Sequence, residues 1–185
     1  VFDSLLEKVA LALDSERLPY MVIGGQAVLL HGEPRLTKDV DITLAAGLDE
    51  LETVLRAATN AGLEPLVDPD DFTHRTMVLP CRDPETSVRV DFVLSYSPYE
   101  REAIGRSVTV RLGEVDVHFA TAEDLVVHKV LAGRPRDLED VRAIVLKRPD
   151  LDRSFIDRTL QQFQEALSRG DELTDRFAEV CREVD

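Results

Sequence analysis

Two aspartates, Asp39 and Asp41, stand one residue apart in a stretch that alternates polar and apolar side chains. In an extended strand, successive side chains point to opposite faces, so both carboxylates point one way while Val40 and Ile42 point the other. Neighbouring carboxylates repel each other unless a cation or a proton lies between them. A hard divalent metal, Mg²⁺ or Mn²⁺, is the natural occupant because it prefers oxygen ligands.

A third carboxylate follows in a second alternating stretch. Asp91 stands opposite an apolar row that includes Val90 and Phe92. If this strand pairs beside the first one, Asp91 joins Asp39 and Asp41 on a common face. Three oxygen ligands on one rigid surface suit two metal ions that activate an attacking oxygen and neutralise a phosphate.

A glycine pair precedes these strands. Gly24 and Gly25 follow the apolar strand Tyr20 to Ile23 and open a short apolar helix. Glycine allows a tight strand-to-helix turn without a side chain that would block a ligand. Backbone N–H groups at a helix N-terminus bind phosphates, so this turn is a candidate phosphate site.

The elements that must position these residues indicate an α/β (α+β) fold. The periodicities predict a mixed sheet of about five strands flanked by helices, followed by a wholly helical segment. We therefore divide the chain into a core, 1–120, and a C-terminal helical region, 121–185, packed on it. Within the core, we expect an acidic loop over 68–71 and strands over 74–79 and 86–94.

Composition excludes some classes of partner. The chain has 185 residues, and its 22 Lys+Arg against 36 Asp+Glu give a net charge of −14. Such a surface repels phosphate backbones and anionic membranes, so a nucleotide needs a local basic patch. The candidates for this patch, each of which has salt bridging as its ordinary alternative, are Arg35, Lys38, Lys129, Arg134 and Arg136.

The location expected of the chain is the cytoplasm. Its two cysteines, Cys81 and Cys181, are far apart in sequence and fit free thiols in a reducing compartment. No apolar run approaches the ~20 residues that span a bilayer, so no membrane association is expected.

The order of the motifs resembles a known superfamily. Gly24-Gly25, then Arg35-Leu-Thr-Lys-Asp39-Val-Asp41, then Val90-Asp91-Phe92 look like the nucleotidyltransferases that share their fold with DNA polymerase beta. The later segment, His128-Lys129 followed by Arg134-Pro-Arg136-Asp137-Leu-Glu-Asp140, is similar to small bacterial nucleotidyltransferases related to abortive-infection toxins. The resemblance spans residues 20 to 146.

The resemblance implies a role for each motif. Asp39 and Asp41 would ligate both metals, and Asp91 would complete the catalytic-metal site. Gly24 and Gly25 would hold the β and γ phosphates. The family more often has serine at position 25 and lysine at position 136, where this chain has Gly25 and Arg136. The residues with an expected nucleotide-binding role are Gly24, Gly25, Arg35, Lys38, Lys129, Asp137 and Asp140.

Each role has a structural alternative. Lys129 would reach the triphosphate, with Asp137 and Asp140 lining the site or holding Lys129 and Arg35. Asp137 would otherwise be a helix N-cap, and Asp140 would interact with the helix dipole. Asp91 would otherwise pair with Arg89 or with Arg75.

The predicted function is metal-dependent transfer of a nucleoside monophosphate from an NTP to an acceptor, with release of pyrophosphate. The acceptor stays open between a small molecule, a protein and an RNA end. The C-terminal helices cap the core or present a face to a partner protein or a second copy. The alternatives are a catalytically weak nucleotide-binding or partner-binding module of the same fold, an Asp-x-Asp phosphatase and, least favoured, an Asp-x-Asp glycosyltransferase.

Overall fold

A computed structural model describes residues 2–33, 36–95 and 97–184. The chain divides into two compact units. The first, which we term the sheet unit, comprises Val1–Gln26 and Leu36–Ala120. The second, the helical unit, comprises Ala27–Arg35 and Thr121–Asp185.

The sheet unit is built on one mixed sheet. The strand bounds are β1 Tyr20–Ile23, β2 Asp39–Leu44, β3 Glu64–Pro65, β4 Val78–Arg82, β5 Arg89–Leu94, β6 Val108–Leu112 and β7 Val115–Phe119. These described strands are arranged in the order β3-β4-β5-β2-β1-β7-β6. Strand β2 lies at the centre, parallel to β5 and antiparallel to β1.

Alternation fixes which face of the central strands is buried. Val40, Ile42 and Leu44 of β2 are fully buried, and Val90 and Phe92 of β5 continue the same layer. A one-residue slip in register would turn this apolar set toward solvent, so burial holds β2 and β5 in a single alignment. The opposite face therefore carries the charged side chains of both strands, which are Asp39 and Asp41 of β2 and Arg89 and Asp91 of β5.

Helices accompany the sheet. Helix α1 uses its apolar stripe against β7 and α3, with Leu6, Val9 and Leu13 buried. The helix bounds in this unit are α1 Phe2–Ser15, a 3-10 helix Leu48–Glu50, α3 Leu51–Asn60, α4 Pro69–Thr76 and α5 Pro98–Arg106. Helix α2, Gly24–His31, begins in the sheet unit and ends in the helical unit.

Two predictions for this region were wrong. Asp68 and helix α4 occupy the stretch 68–76, where a loop followed by a strand was expected, because the Asp68 side chain caps the helix by accepting from the Asp71 N–H. Pro69 in the first turn also favours helix there. The predicted fold class is confirmed; the sheet has seven described strands where about five were expected, partly because the two-residue strand β3 is too short to show alternation.

The helical unit contains the four helices that follow residue 120. Thr121 is the N-cap of the first of them, because its side chain accepts a hydrogen bond from the Asp124 N–H. That helix ends at Gly133, which adopts a left-handed conformation with φ of 63°. The bounds are α6 Ala122–Ala132, α7 Pro135–Lys147, α8 Arg153–Ala166 and α9 Glu172–Val184.

Packing inside this unit is apolar. Helix α6 contacts α7, α8 and α9, and Ile144, Ile156, Leu160 and Leu173 are fully buried. None of the described helices is long and apolar enough to cross a membrane. Cys81 and Cys181 form no disulfide.

Candidate active site

The register of β2 and β5 sets the geometry of the three carboxylates. In this parallel pair, Asp41 lies directly opposite Asp91, and Asp39 lies opposite Arg89. Directly opposed residues share a face of the sheet, so Asp39, Asp41 and Asp91 lie on the same face. Asp39 is exposed, while Asp41 and Asp91 are half-buried.

The glycine turn lies against one of these carboxylates. Strand β1 runs antiparallel to β2 with Ile23 opposite Asp41, so Gly24 emerges beside that side chain. Gly24 has φ of +63°, and a Cβ at this position would overlap Oδ2 of Asp41. Both the backbone conformation and the space therefore require glycine here. Helix α2 begins at Gly24, so its N-terminus lies beside the carboxylate pair.

Asp91 is engaged by a cation of the chain itself. Arg89 Nε donates to Asp91 Oδ1 at 2.7 Å. This hydrogen bond raises the pKa of Arg89, and the charges of Asp39 and Asp41 add to the effect. The predicted alternative that Asp91 pairs with Arg89 is confirmed. The alternative with Arg75 is wrong, because Arg75 pairs with Asp71 one helical turn away.

These residues fit a hard divalent metal in donor type and in register, since each contributes carboxylate oxygen from an adjacent strand position. The described residues contain no group of three or more Asp, Glu, His or Cys side chains that converges closely enough to hold an ion. The ligand roles of Asp39, Asp41 and Asp91 stay a prediction.

The loop before β2 is tied to the start of α2. Gln26 Nε2 donates to Thr37 Oγ1 at 2.7 Å, and Gln26 is buried. This bond fixes the segment that leads into Asp39. The exposed Lys38 lies between Thr37 and Asp39. Arg35, which we expected to contact the nucleotide, lies outside the described residues.

The predicted residues of the helical unit form a separate cluster. Lys129 Nζ lies 2.9 Å from Asp137 Oδ1 and 2.8 Å from Asp140 Oδ2, and all three side chains are buried. Arg134 Nε adds a bond of 2.6 Å to Asp137 Oδ2. Burial opposes ionisation of Asp137, but hydrogen bonds from Arg134 and Lys129 outweigh it and lower the pKa of this carboxyl.

This cluster joins α6 to the first two turns of α7 and brings two positive side chains together with two negative ones. The alternative that Asp137 is the N-cap of α7 is wrong, because the cap is Arg134 and Pro135 begins the helix. Arg136 is exposed. The expectation that Asp137 and Asp140 hold Lys129 matches these contacts, whereas a contact from Lys129 to a triphosphate stays a prediction.

Sequence reasoning missed two features of the site. The bond from Gln26 to Thr37 joins residues eleven positions apart, and no periodicity signals it. Arg82, the final residue of β4, lies opposite Arg89, and only the strand register reveals this.

The fold is that of the nucleotidyltransferases. A solution structure of the antibiotic-resistance factor ANT(2'')-Ia is similar, with a TM-score of 0.63, 15% identity, and coverage of 91% of this chain and 94% of that one. A crystal structure of ANT(2'')-Ia in complex with adenylyl-2''-tobramycin has a TM-score of 0.55 at 13% identity, covering 100% and 99% of the two chains. An antigenic nucleotidyltransferase-like protein from Paracoccidioides brasiliensis has a TM-score of 0.57 at 19% identity, covering 95% and 91%.

A family model classifies the chain more specifically than the shared fold does. Residues 2–168 match the model of DUF6036, described as a nucleotidyltransferase of unknown function, and the chain belongs to this family. None of the curated proteins matches the sequence. The predicted membership of the nucleotidyltransferase superfamily is thereby confirmed.

Proposed function

We propose that this chain is a metal-dependent nucleotidyltransferase that transfers a nucleoside monophosphate from an NTP to an acceptor and releases pyrophosphate. The observation that carries the proposal is the strand register. It puts Asp39, Asp41 and Asp91 on one face of β2 and β5, with Gly24 in contact with Asp41. Membership of a nucleotidyltransferase family agrees with it.

Each group of site residues has a proposed role in binding the NTP. The backbone N–H groups of Gly24 and Gly25 hold the β and γ phosphates at the N-terminus of α2. Asp39 and Asp41 would hold Mg²⁺ or Mn²⁺, and the ion would neutralise phosphate charge and activate the attacking oxygen. Lys38, exposed next to Asp39, is the proposed additional nucleotide contact of the sheet unit.

The reaction forms one bond and breaks one. The acceptor oxygen or nitrogen attacks the α-phosphorus of the NTP, and the bond from that phosphorus to the bridging oxygen breaks. Pyrophosphate leaves with the bonding electrons. Asp91 accepts the acceptor's proton after its carboxylate is released from Arg89, so the Arg89–Asp91 pair opens during each cycle.

The test is label transfer from each α-labelled NTP, with Mg²⁺ or Mn²⁺, to pools of small molecules, proteins and RNA. Wild type is expected to label one pool and to release pyrophosphate. Asp41→Asn is expected to abolish labelling, and Asp49→Asn, an exposed aspartate in the 3-10 helix, is the matched control. Equal labelling by wild type and Asp41→Asn would contradict the proposal.

A nucleotide-binding module without turnover is the second candidate. The observation that favours it is the bond between Arg89 and Asp91, which occupies a predicted ligand, together with Gly25 in place of serine. This candidate predicts saturable NTP binding, sensitive to Asp41→Asn, without labelling of any pool. Release of pyrophosphate by wild type would exclude it.

A further inference from the structure

A row of charged side chains crosses the sheet at the end that carries the carboxylates. Asp39 on β2 lies opposite Arg89 on β5, Arg89 lies opposite Arg82 on β4, and Arg82 lies opposite Glu64 on β3. Directly opposed residues share a face, and Arg89 and Asp91 are two residues apart on one strand. The row therefore lies on the same face as the carboxylates.

Two arginines are adjacent within this row. Like charges directly opposite each other in a sheet are destabilising unless something neutralises them. Arg89 is neutralised by Asp91 at 2.7 Å. Within residues 2–33, 36–95 and 97–184, Arg82 makes no ion pair, not even with Glu64, and its side chain is exposed. A chain with a net charge of −14 thus presents an uncompensated guanidinium beside its candidate active site.

The two arginines lie where the acceptor is expected to bind and not where the NTP is expected to bind. The phosphate-binding turn at Gly24 lies on the β1 side of β2, whereas Arg89 and Arg82 lie on the β5 and β4 side. In an in-line displacement, the attacking group approaches the phosphorus from the side opposite the leaving group. With pyrophosphate leaving toward Gly24, the acceptor approaches from the side of the arginines.

We propose that Arg82 and Arg89 bind an anionic group of the acceptor, a phosphate or a carboxylate, close to the hydroxyl that is modified. This inference rests on the proposed function. Guanidinium groups bind such oxyanions through two parallel hydrogen bonds. Register places Arg82 and Arg89 directly opposite each other, and Arg89 would exchange its bond to Asp91 for bonds to the anion. When Arg89 binds the anion, its guanidinium moves away from Asp91. The Asp91 carboxylate is then available for the acceptor's proton.

Direct binding is measured with inorganic phosphate as the probe. The arginine Nε–Hε signals of the full chain are followed by NMR during titration with phosphate, against sodium chloride at equal ionic strength. Arg82 and Arg89 are expected to shift saturably with phosphate, and Arg111, an exposed arginine paired with Asp116 at the other sheet edge, is expected not to. Absence of a saturable shift at Arg82 overturns the inference.

Acceptor preference is measured with matched pairs. Ribose is compared with ribose 5-phosphate and adenosine with adenosine 5′-monophosphate, while a trinucleotide RNA represents a polymeric phosphate source and tobramycin a polycation. Wild type is expected to favour the phosphate-bearing members by at least about tenfold in kcat/KM. Arg82→Gln is expected to raise the KM for those acceptors about tenfold and leave the KM for NTP unchanged. Arg82→Lys restores part of the preference, and Arg111→Gln leaves it intact.

The outcomes separate this inference from the function on which it rests. If wild type transfers label equally well to neutral or cationic acceptors, the inference fails and the proposed function stands. If wild type neither binds NTP nor releases pyrophosphate in a manner that depends on Asp41, both fail. Labelling of the RNA alone, or of the small phosphates alone, identifies the source of the anion and supports the inference.

Discussion

Two aspartate clusters in this chain place the same side chain in opposite environments. In the sheet unit, Asp39 is exposed and Asp41 is half-buried beside a glycine turn. In the helical unit, Asp137 and Asp140 are 3% and 4% exposed and enclose the ammonium of Lys129. The first cluster thus includes an exposed carboxylate, whereas the carboxylates of the second are buried in internal contacts.

The two clusters differ in how their negative charge is balanced. Buried carboxylates are tolerated only when cations and hydrogen bonds compensate them, as Lys129 and Arg134 do for Asp137. Asp39, Asp41 and Asp91 share a face of β2 and β5 with Arg89, which is paired with Asp91. A divalent cation relieves repulsion between carboxylates on one rigid surface, which is why we propose the sheet cluster as the site of the chemistry.

The largest expected effect is on catalysis. Asp39→Asn is expected to lower nucleotidyl transfer about a hundred- to a thousandfold, because one charged ligand is lost where phosphate charge must be neutralised. Its free energy of unfolding is expected to stay equal or rise, since the change relieves repulsion from Asp41. Label transfer and urea unfolding measure the two quantities. A large loss of stability would place Asp39 with the structural aspartates and remove the contrast.

The next effect is on stability. Lys129→Met is expected to lower the free energy of unfolding by about 3–5 kcal/mol, because it leaves Asp137 and Asp140 buried without their shared cation. Lys8→Met is the control: Lys8 pairs with Glu85 at 3.1 Å on the surface, where such a pair contributes under about 1 kcal/mol. Urea unfolding measures both. Equal effects for the two lysines would show that burial does not distinguish these ion pairs.

The pH dependence of the free energy of unfolding tests the role of Asp137. Since the pKa of Asp137 is lowered in the folded state, its ionised form stabilises the fold above the unfolded pKa of about 3.9. This contribution is lost as pH falls through the folded pKa. The difference in unfolding free energy between wild type and Asp137→Asn is therefore expected to be constant near neutral pH and to shrink below about pH 4. Glu139→Gln, exposed on the same helix, is the control for urea unfolding across this range. A difference that stayed constant down to pH 2 would contradict the prediction.

The smallest expected effect concerns the loop that leads into Asp39. Thr37→Val removes the acceptor of the Gln26 bond and is expected to cost about 1 kcal/mol of stability, with a modest loss of transfer activity. Gln26→Leu is expected to act similarly, and the double variant is expected to lose no more than the worse single one. Additive losses in the cycle would show that the two side chains act independently.

Much of the carboxylate geometry was predictable from sequence. Alternation with a period of two fixes which residues of β2 and β5 share a face, and burial of the apolar partners then holds the strands in register. The wholly helical segment after residue 120 was also predictable, because its apolar positions recur with a helical period. The Arg89–Asp91 pair followed as an alternative from their spacing.

Other features depended on information that local patterns do not hold. Helix α4 is polar, so its capping residue Asp68 and Pro69 were interpreted as a loop. The opposition of Arg82 and Arg89 depends on how β4 aligns with β5. The enclosure of Lys129 depends on the packing of α6 against α7, which places its ammonium between two buried carboxylates.

The requirement for glycine at position 24 limits which mutations its codon tolerates. Any single-base change of a glycine codon that alters the amino acid without ending the chain introduces a residue with a Cβ, from alanine to tryptophan. At this position, each of them meets the Asp41 carboxylate and a backbone conformation that disfavours side chains. No amino acid within one mutation of Gly24 is a neutral replacement, so every missense change at this codon is expected to disturb the turn beside Asp41.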